Sequence, residues 1–235
     1  MTDATIAALM AGQPVEDTAL AALTGDLRLD RAPIEDLTPI AACHRLSGLF
    51  LNRTRVADVA ALAGLTGLRR LSLKLTRIAD VTPLAGLTGL TSLILSFTSV
   101  ADIRPVSGLT ALESLYLTGT LITDVAPLAG LVRLDRLDLG ATGVADIAPL
   151  AGLTRLRSLE LCDTGVTDLG PLAGLAALEF LDLGQTGVTD LSPIAQLPAL
   201  RRLDLRGTRA TDLSMLRPDI EIVSAATYRR SRRWR

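Results

Sequence analysis

The sequence predicts an α/β repeat solenoid. One 22-residue pattern recurs along most of the 235-residue chain, and a fixed period of this length is typical of a stacked array of repeats. Hydrophobic residues make up 49% of the chain but aromatic residues only 3%, so the core must be built from small and aliphatic side chains. Such a core suits thin layers that each pack on their neighbours, and the uninterrupted repetition favours one elongated domain.

Three regions follow from this pattern. Residues 1–23 carry apolar residues at roughly helical spacing, interrupted by Gly12 and Pro14, and we predict that they form an N-terminal helical cap. Residues 24–221 hold nine repeats, of which the first is degenerate, and residues 222–235 are predicted to be a C-terminal cap and a basic tail. A stack of repeats has apolar ends that must be covered, so atypical terminal segments are expected.

Each regular repeat begins with the pattern L-x-x-L-x-L, for example at Leu134, Leu137 and Leu139. Alternate residues of a strand lie on opposite faces, so the leucines are expected to point inward. All layers run in the same sense, which predicts a parallel sheet with one short strand per repeat. We expect Leu139→Ala to cost about 2–5 kcal/mol, because it opens a void in a core layer.

Two polar positions recur after each strand. A threonine stands at the ninth position of every regular repeat, where its hydroxyl can bond to backbone groups that leave the strand. An aspartate follows four residues later and precedes a short apolar run with proline near its start. This combination is typical of a helical turn with a cap, and loss of one cap is expected to cost about 1 kcal/mol.

The complete repeat, L-x-x-L-x-L-x-x-T-x-[VI]-x-D-[VIL]-x-P-L-A-G-L, resembles the 22-residue leucine-rich repeats of the bacterial internalins. It is also similar to the repeats of the nuclear regulatory subunit of type 1 protein phosphatase. Those families usually have Asn at the ninth position, where this chain has Thr. The resemblance implies a leucine-rich-repeat arc with a parallel β-sheet on the concave face, short 3-10 or α turns on the convex face, and protein binding through the concave face.

The fifth residue of each repeat, between two inward leucines, should project outward from the sheet. Down the chain this row contains Arg28, Phe50, Ser72, Ile94, Tyr116, Asp138, Glu160, Asp182 and Asp204. Its first part is apolar and aromatic, and Phe97 and Leu75 join it where two strands end. Exposed aromatic residues gathered on one face are typical of interface anchors, and scattered surface apolar residues are the alternative. The predicted partner-binding residues of this apolar patch are Phe50, Ile94, Phe97 and Tyr116.

The last part of the row, here the acidic row, consists of Asp138, Glu160, Asp182 and Asp204. On strands about 4.8 Å apart, neighbouring like charges repel by about 1 kcal/mol in water before salt screening. Folding therefore gains nothing from these charges, and they are also candidate partner-binding residues, suited to basic groups. Four arginines lie close in the sequence and could neutralise the row, which leaves a solvated face as the alternative: Arg136, Arg157, Arg201 and Arg202.

The residue types and motifs of the sequence argue against several classes of function. The single histidine, His44, is far in sequence from the acidic row, and no pattern for a catalytic triad, a metal site or a phosphate-binding loop is present. We expect no catalytic residues, no cofactor and no metal. Two distant cysteines do not indicate an oxidising compartment, and no stretch is apolar enough to span a membrane.

The charge distribution argues against a nucleic-acid binder. Five arginines stand in the last seven residues, and without them the net charge falls from −1 to −6. The body therefore lacks a basic patch, although the basic tail with Tyr228 and Trp234 has a composition that can bind anionic partners. A tail without a dedicated partner is the alternative.

The predicted function is non-enzymatic recognition of a protein or peptide on the concave face, with basic residues on the partner. One alternative is a regulatory or scaffold subunit that attaches to an enzyme through the convex face or the basic tail. Another is a bacterial effector delivered to another cell. We expect a cytoplasmic protein, because no secretory signal or cell-wall anchor of the internalin kind is seen in the sequence. We also expect a monomer.

Overall fold

The computed structural model describes residues 2–11 and 13–224. The chain forms two compact units, the first ending at Leu121 and the second beginning at Ile122. In both units a strand, a tight exit and a short 3-10 turn recur every 22 residues. This is the predicted α/β repeat solenoid of the leucine-rich-repeat type.

The first unit opens with two helices, α1 (Thr2–Met10) and α2 (Asp17–Ala21). Leu20 of α2 is fully buried, and α2 packs against the 3-10 turn Thr38–Ala42 of the first repeat. The helices lie inside the segment for which a helical cap is predicted. The boundary at residue 23 stays a prediction.

Five strands follow in the first unit and pair in parallel, each with the next one along the chain. Their bounds are Gly25–Arg28 (β1), Leu46–Phe50 (β2), Arg70–Ser72 (β3), Ser92–Ile94 (β4) and Ser114–Tyr116 (β5). The register places equivalent residues of successive repeats side by side, so that Leu71 pairs with Leu93 and Leu93 with Leu115. An irregularity lies between Gly25 and Asp26 of the degenerate first repeat.

The second unit is built in the same way. Its strands are Arg136–Asp138 (β6), Ser158–Glu160 (β7), Phe180–Asp182 (β8), Arg202–Asp204 (β9) and Glu221–Val223 (β10). They pair in parallel in that order. The last strand, β10, pairs with β9 although the repeat pattern fails before it.

The turns after the strands are 3-10 helices of three to five residues. In the first unit they are Thr38–Ala42, Ala60–Leu62, Thr82–Leu84 and Arg104–Gly108. In the second they are Ala126–Leu128, Ala148–Gly152, Gly170–Leu172 and Ser192–Ile194. Proline stands in the first turn of most of them, where its missing N–H costs nothing.

The predicted aspartate caps are confirmed. In each repeat the carboxylate accepts a hydrogen bond of 2.7 to 2.9 Å from the backbone N–H two residues later. The donors in the eight 3-10 turns are their first residues, and the last cap, Asp212, accepts from Ser214. Bonds from the backbone N–H and the hydroxyl of Ser192 hold the pKa of Asp190 below its ordinary value of 3.8.

The core consists of layers of aliphatic side chains. The three leucines that begin each regular repeat are buried, as Leu134, Leu137 and Leu139 illustrate. Further inward residues come from the turn that follows, such as Val144 and Ile147. The aliphatic residues of each repeat therefore form an equivalent buried layer, as the composition predicts.

The threonine at the ninth position closes the strand exit within its own repeat. Its hydroxyl donates to the carbonyl oxygen of the leucine three residues earlier at 2.6 to 2.9 Å in every regular repeat. The predicted bond from these hydroxyls to the backbone is thus confirmed.

The eighth position of every repeat has a left-handed backbone, a feature that the sequence analysis missed. Only Gly119 and Gly207 are glycines there; the other residues are Arg31, Arg53, Leu75, Phe97, Ala141, Asp163 and Gln185, with φ between 52° and 63°. A left-handed conformation costs an L-residue about 1–2 kcal/mol. The stacked neighbours hold this conformation in spite of the residue type.

Candidate protein-binding surface

The register of the first unit creates the apolar patch. Phe50 pairs with Ser72, Ser72 with Ile94, and Ile94 with Tyr116, so their side chains form one row on the face opposite the leucines. Phe50, Ile94 and Tyr116 are partly exposed, whereas Ser72 is only 2% exposed. The small Ser72 therefore leaves a low point between two larger side chains.

Phe97 and Leu75 extend the apolar patch from the strand exits. Their exposed fractions are 47% and 39%, and both have a φ of 58°. Bulky residues are rarely found in this conformation. An exposed ring on a residue with a disfavoured backbone conformation contributes little to the stability of the fold. A role in binding would therefore best explain why an aromatic residue occupies position 97.

Two cations lie over aromatic rings of the first unit, which sequence reasoning missed. The Arg28 guanidinium carbon is 4.1 Å from the centroid of the Phe50 ring, and Lys74 Nζ is 5.6 Å from that of Phe97. Each pair joins neighbouring repeats. The available signal was the alignment of Arg28 with Phe50 at the same repeat position.

The second unit brings the four members of the acidic row together as predicted. Asp138 pairs with Glu160, Glu160 with Asp182, and Asp182 with Asp204. The first three are half-buried and Asp204 is buried. The carboxylates therefore stand in a continuous line on this face of the second unit.

The aspartates of the acidic row make hydrogen bonds to the backbone that the sequence analysis missed. Asp138 accepts a hydrogen bond from the backbone N–H of Gly140 at 2.9 Å, and Asp182 accepts one from Gly184 at 2.8 Å. These bonds satisfy backbone groups at the strand exit, where the ladder ends. The spacing of aspartate and glycine two residues apart was the signal for this role.

Three of the four arginines that could neutralise the row make contacts outside it. Arg157 contacts Asp135 and Glu179 at 3.4 and 3.6 Å, which lie outside the row. Arg136 contacts Asp135, and Arg202 lies 5.8 Å from the centroid of the Phe180 ring. No ion pair of Arg201 is found among the described residues.

Arg206 forms an ion pair with Asp204, the last member of the row. Its guanidinium contacts Asp204 at 2.7 Å, and its backbone N–H also donates to that carboxylate. The sequence analysis did not name Arg206, because it is two residues beyond the row member with which it pairs.

Glu160 has a different environment from the aspartates. Burial, together with the charges of Asp138 and Asp182, raises its pKa above the ordinary value of 4.5. The pKa of Asp182 is also raised, chiefly by burial and against the hydrogen bond from Gly184. Ionisation of both groups is therefore disfavoured in the folded chain, and a cation placed beside them would reverse this.

Cys162 lies beside the acidic row, two residues after Glu160. A Cβ atom on Gly140 would be 2.9 Å from its sulfur, so the thiol occupies space left by that glycine. Burial and the nearby carboxylates, Asp182 foremost, raise its pKa to about 11. Cys162 and Cys43 are both free thiols.

Other features of the described chain do not point to catalysis. Within residues 2–11 and 13–224, no group of three or more His, Cys, Asp or Glu side chains is arranged to hold a metal ion. A recess of about 320 Å³ lies between α1 and the first 3-10 turn, lined by Leu9, Pro14 and Ile40 among others. It contains none of the predicted site residues. The arginine-rich tail and Trp234 lie outside the described residues, and no helix in the described part could cross a membrane.

Comparison with known proteins agrees with this geometry. A family model described as leucine-rich repeats, in two copies, matches residues 88–130 and 176–218. The structure of internalin C2 from Listeria monocytogenes is 31% identical, with a TM-score of 0.78, and the match covers 84% of this chain and 88% of that one. None of the curated protein sequences matches the chain.

Two further structures are similar. Internalin F from Listeria monocytogenes is 25% identical with a TM-score of 0.69, over 93% of this chain and 82% of that one. A leucine-rich-repeat protein of Leptospira interrogans is 23% identical with a TM-score of 0.79, over 90% of this chain and 57% of that one, and this likeness concerns the fold.

The repeated strands, turns and outward side chains define a class of proteins whose folds serve as interaction modules and are typically not enzymes. Within that class, this chain belongs to the leucine-rich-repeat proteins with internalin-like repeats.

Proposed function

We propose that the chain is a protein-binding module that recognises a protein or peptide through the outward face of its strands, the face predicted to be concave. The observation that carries this proposal is the exposed ring of Phe97, held in a left-handed backbone conformation beside Leu75. Exposed aromatic residues in one patch are typical anchors of interfaces. A rigid sheet would present them without a loss of conformational freedom on binding.

In the first unit the contact surface is the apolar patch of Phe50, Ile94, Phe97 and Tyr116. Support comes from the register, which sets Ile94 beside Tyr116, and from the low point at Ser72, which could admit an apolar side chain of the partner. Apolar side chains buried in such a place contribute most of the energy of an interface.

In the second unit the contact surface is the acidic row, and basic residues of the partner are its counterpart. Glu160 supports this assignment, because its pKa is raised by burial and by two neighbouring carboxylates. A lysine or arginine of the partner would relieve that repulsion. Among the described residues, the carboxylate of Glu160 also accepts no hydrogen bond from a backbone N–H, unlike the carboxylates of Asp138 and Asp182.

The test is affinity capture from cell lysate with mass spectrometry, using the full chain and single variants. Phe97→Ala and Tyr116→Ala test the apolar patch, and Glu160→Lys tests the acidic row without removing a backbone hydrogen bond. Glu16→Lys, in the exposed segment before α2, makes the same charge change away from both surfaces. Proteins retained by the Glu16 variant but lost with the others would support the proposal; equal capture by all four variants would contradict it.

A second candidate is a regulatory or scaffold subunit that attaches through the side of the turns or through the basic tail. Val132 favours it, since this apolar residue lies between a 3-10 turn and β6 and is 53% exposed. Val132→Asp and deletion of residues 229–235 test it, because neither change removes a residue of the apolar patch or of the acidic row. The cytoplasmic location of the chain and its monomeric state stay predictions. The alternative of an effector delivered to another cell also stays a prediction.

A further inference from the structure

The outward face of the first unit carries cations without acidic partners. These exposed residues have no ion pair among the residues that the structure describes: Arg28, Arg31, Arg53 and Lys74. The two acids on the same face are already engaged. Asp26 contacts Arg70 at 2.8 Å, and Asp30 accepts a hydrogen bond from the backbone N–H of Asn52 at 2.9 Å. Asp30 keeps its charge, but one carboxylate does not offset four cations, and the face therefore keeps an excess of positive charge.

The cations and the apolar side chains are separated along the repeats. The fifth position runs from Arg28 through Phe50 to Ile94 and Tyr116, and the eighth runs from Arg31 and Arg53 to Leu75 and Phe97. In the fifth-position row the positive charge lies in the first repeat and the apolar residues in the second, fourth and fifth. In the eighth-position row the positive charge lies in the first two repeats and the apolar residues in the third and fourth. A ligand that matches both rows must carry its negative charge over the first repeats and its apolar side chains over the later ones.

The rings of Phe50 and Phe97 are already covered in part by neighbouring groups of the chain. Phe50 has Arg28 over its ring, and a Cβ atom on Gly48 would be 3.1 Å from Phe50 Cε2. Phe97 has Lys74 near its ring, and a Cβ atom on Gly119 would be 2.6 Å from Phe97 Cδ1. Single-stranded nucleic acids bind such surfaces by stacking bases on open aromatic faces. The geometry favours a peptide over a nucleic acid.

We propose that the outward face of the first unit binds a linear acidic segment of a protein partner. Its carboxylates lie over Arg28, Arg31 and Arg53, and its apolar side chains lie over Ile94, Phe97 and Tyr116. The assignment rests on the protein-binding function proposed above and adds the partner's chemistry for this face. It is distinct from the basic groups proposed for the acidic row of the second unit.

The test begins with selection of random 12-residue peptides displayed on phage against the full chain, in two parallel selections. One uses the wild type and the other uses the Phe97→Ala, Tyr116→Ala double variant. Peptides enriched by the wild type alone are synthesised, together with versions in which each Asp or Glu is replaced by Asn or Gln. Affinities are then measured by fluorescence anisotropy at low and high salt.

We expect the enriched peptides to combine Asp or Glu with aliphatic or aromatic residues. Their neutral versions should bind about tenfold more weakly, because three exposed ion pairs together contribute about one decade in affinity. High salt should reduce the difference. The Arg28→Gln, Arg53→Gln double variant should lose the preference for the acidic version, whereas Arg77→Gln, which removes an exposed arginine from the loop after Thr76, should keep it.

Other outcomes overturn the inference. Enrichment of Lys and Arg, or equal affinity for acidic and neutral versions, would leave a protein-binding apolar patch but remove the acidic partner. Tighter binding of a 12-nucleotide oligothymidine at the same arginines would assign the face to nucleic acid. If the double variant of Phe97 and Tyr116 enriches the same peptides as the wild type, the proposed function of the patch fails with it.

Discussion

Arg70 and Asp26 form an ion pair of 2.8 Å across the strand that separates them. The residue between them in the register is Gly48, which pairs with Asp26 on one side and with Arg70 on the other. A Cβ atom at Gly48 would overlap the Asp26 carboxylate. The missing side chain thus lets β1 and β3 contact each other directly over β2.

Gly48→Ala is expected to destabilise the chain by up to about 1 kcal/mol, because the added methyl group must displace the Asp26 carboxylate from Arg70, and a partly exposed ion pair contributes about that much. The free energy of unfolding, measured with urea, checks this. Gly64→Ala is the matched control and should change it by less than about 0.5 kcal/mol, since a Cβ atom there meets nothing within 4 Å. Combining Gly48→Ala with Asp26→Ala should recover part of the loss; full additivity of the two changes would contradict the explanation.

Thr142→Val should cost about 1–3 kcal/mol, because the Leu139 carbonyl loses the hydroxyl that donates to it at 2.6 Å in a buried exit. Thr142→Ser, which keeps the hydroxyl, should cost less. Thr208→Val should also cost less, since Thr208 is half-exposed in the last repeat and water can replace the hydroxyl. Equal losses at residues 142 and 208, measured by urea unfolding, would show that burial of the bond does not matter.

Glu160→Gln should stabilise the chain at pH 7. The folded-state pKa of Glu160 lies above its ordinary value of 4.5, so ionisation is easier in the unfolded chain and the charged group disfavours folding. The protonated carboxyl group of Glu160 does not disfavour folding in this way. The gain in stability from the substitution should therefore vanish as the pH falls below the pKa of Glu160 in the unfolded chain. Urea midpoints of variant and wild type at pH 7 and pH 3.5 test this, and an equal benefit at both would refute it.

Ala141→Gly should stabilise the chain by about 1 kcal/mol, because the φ of Ala141 is 52° and glycine accepts this conformation without strain. Ala145→Gly, at an exposed position of the same repeat without a positive φ, should instead destabilise it by several tenths of a kcal/mol through the unfolded state. The two variants are compared by thermal and urea unfolding. A stabilising effect at both positions would remove the backbone explanation.

Much of the fold follows from the sequence, because the leucines at 134, 137 and 139 and their equivalents impose both the strand and its register. The roles of Thr142 and Asp146 follow from the same spacing. The left-handed exit was missed since residues as different as Arg53 and Phe97 occupy it, although glycines at 119 and 207 share the position. Stacking of neighbouring repeats, not local preference, decides the conformation there.

The candidate surface was predictable in position but not in its contacts. Alternation places Phe50 and Glu160 outward, but it does not determine the direction of a long side chain. The ion pair of Arg206 with Asp204 and the position of Arg28 over Phe50 depend on side-chain rotamers in adjacent layers. The repeat pattern of the sequence does not specify these rotamers.

The bond from Thr142 to Leu139, like its equivalents, closes inside a single repeat. Each repeat therefore carries its own exit chemistry, and its neighbours need only supply a backbone ladder and an aliphatic layer that vary little along the chain. An in-frame duplication or loss of 22 residues would preserve all three. In such a lineage the outward face can lengthen, shorten or be reordered by recombination within one gene, while substitutions at the fifth and eighth positions change its chemistry one side chain at a time.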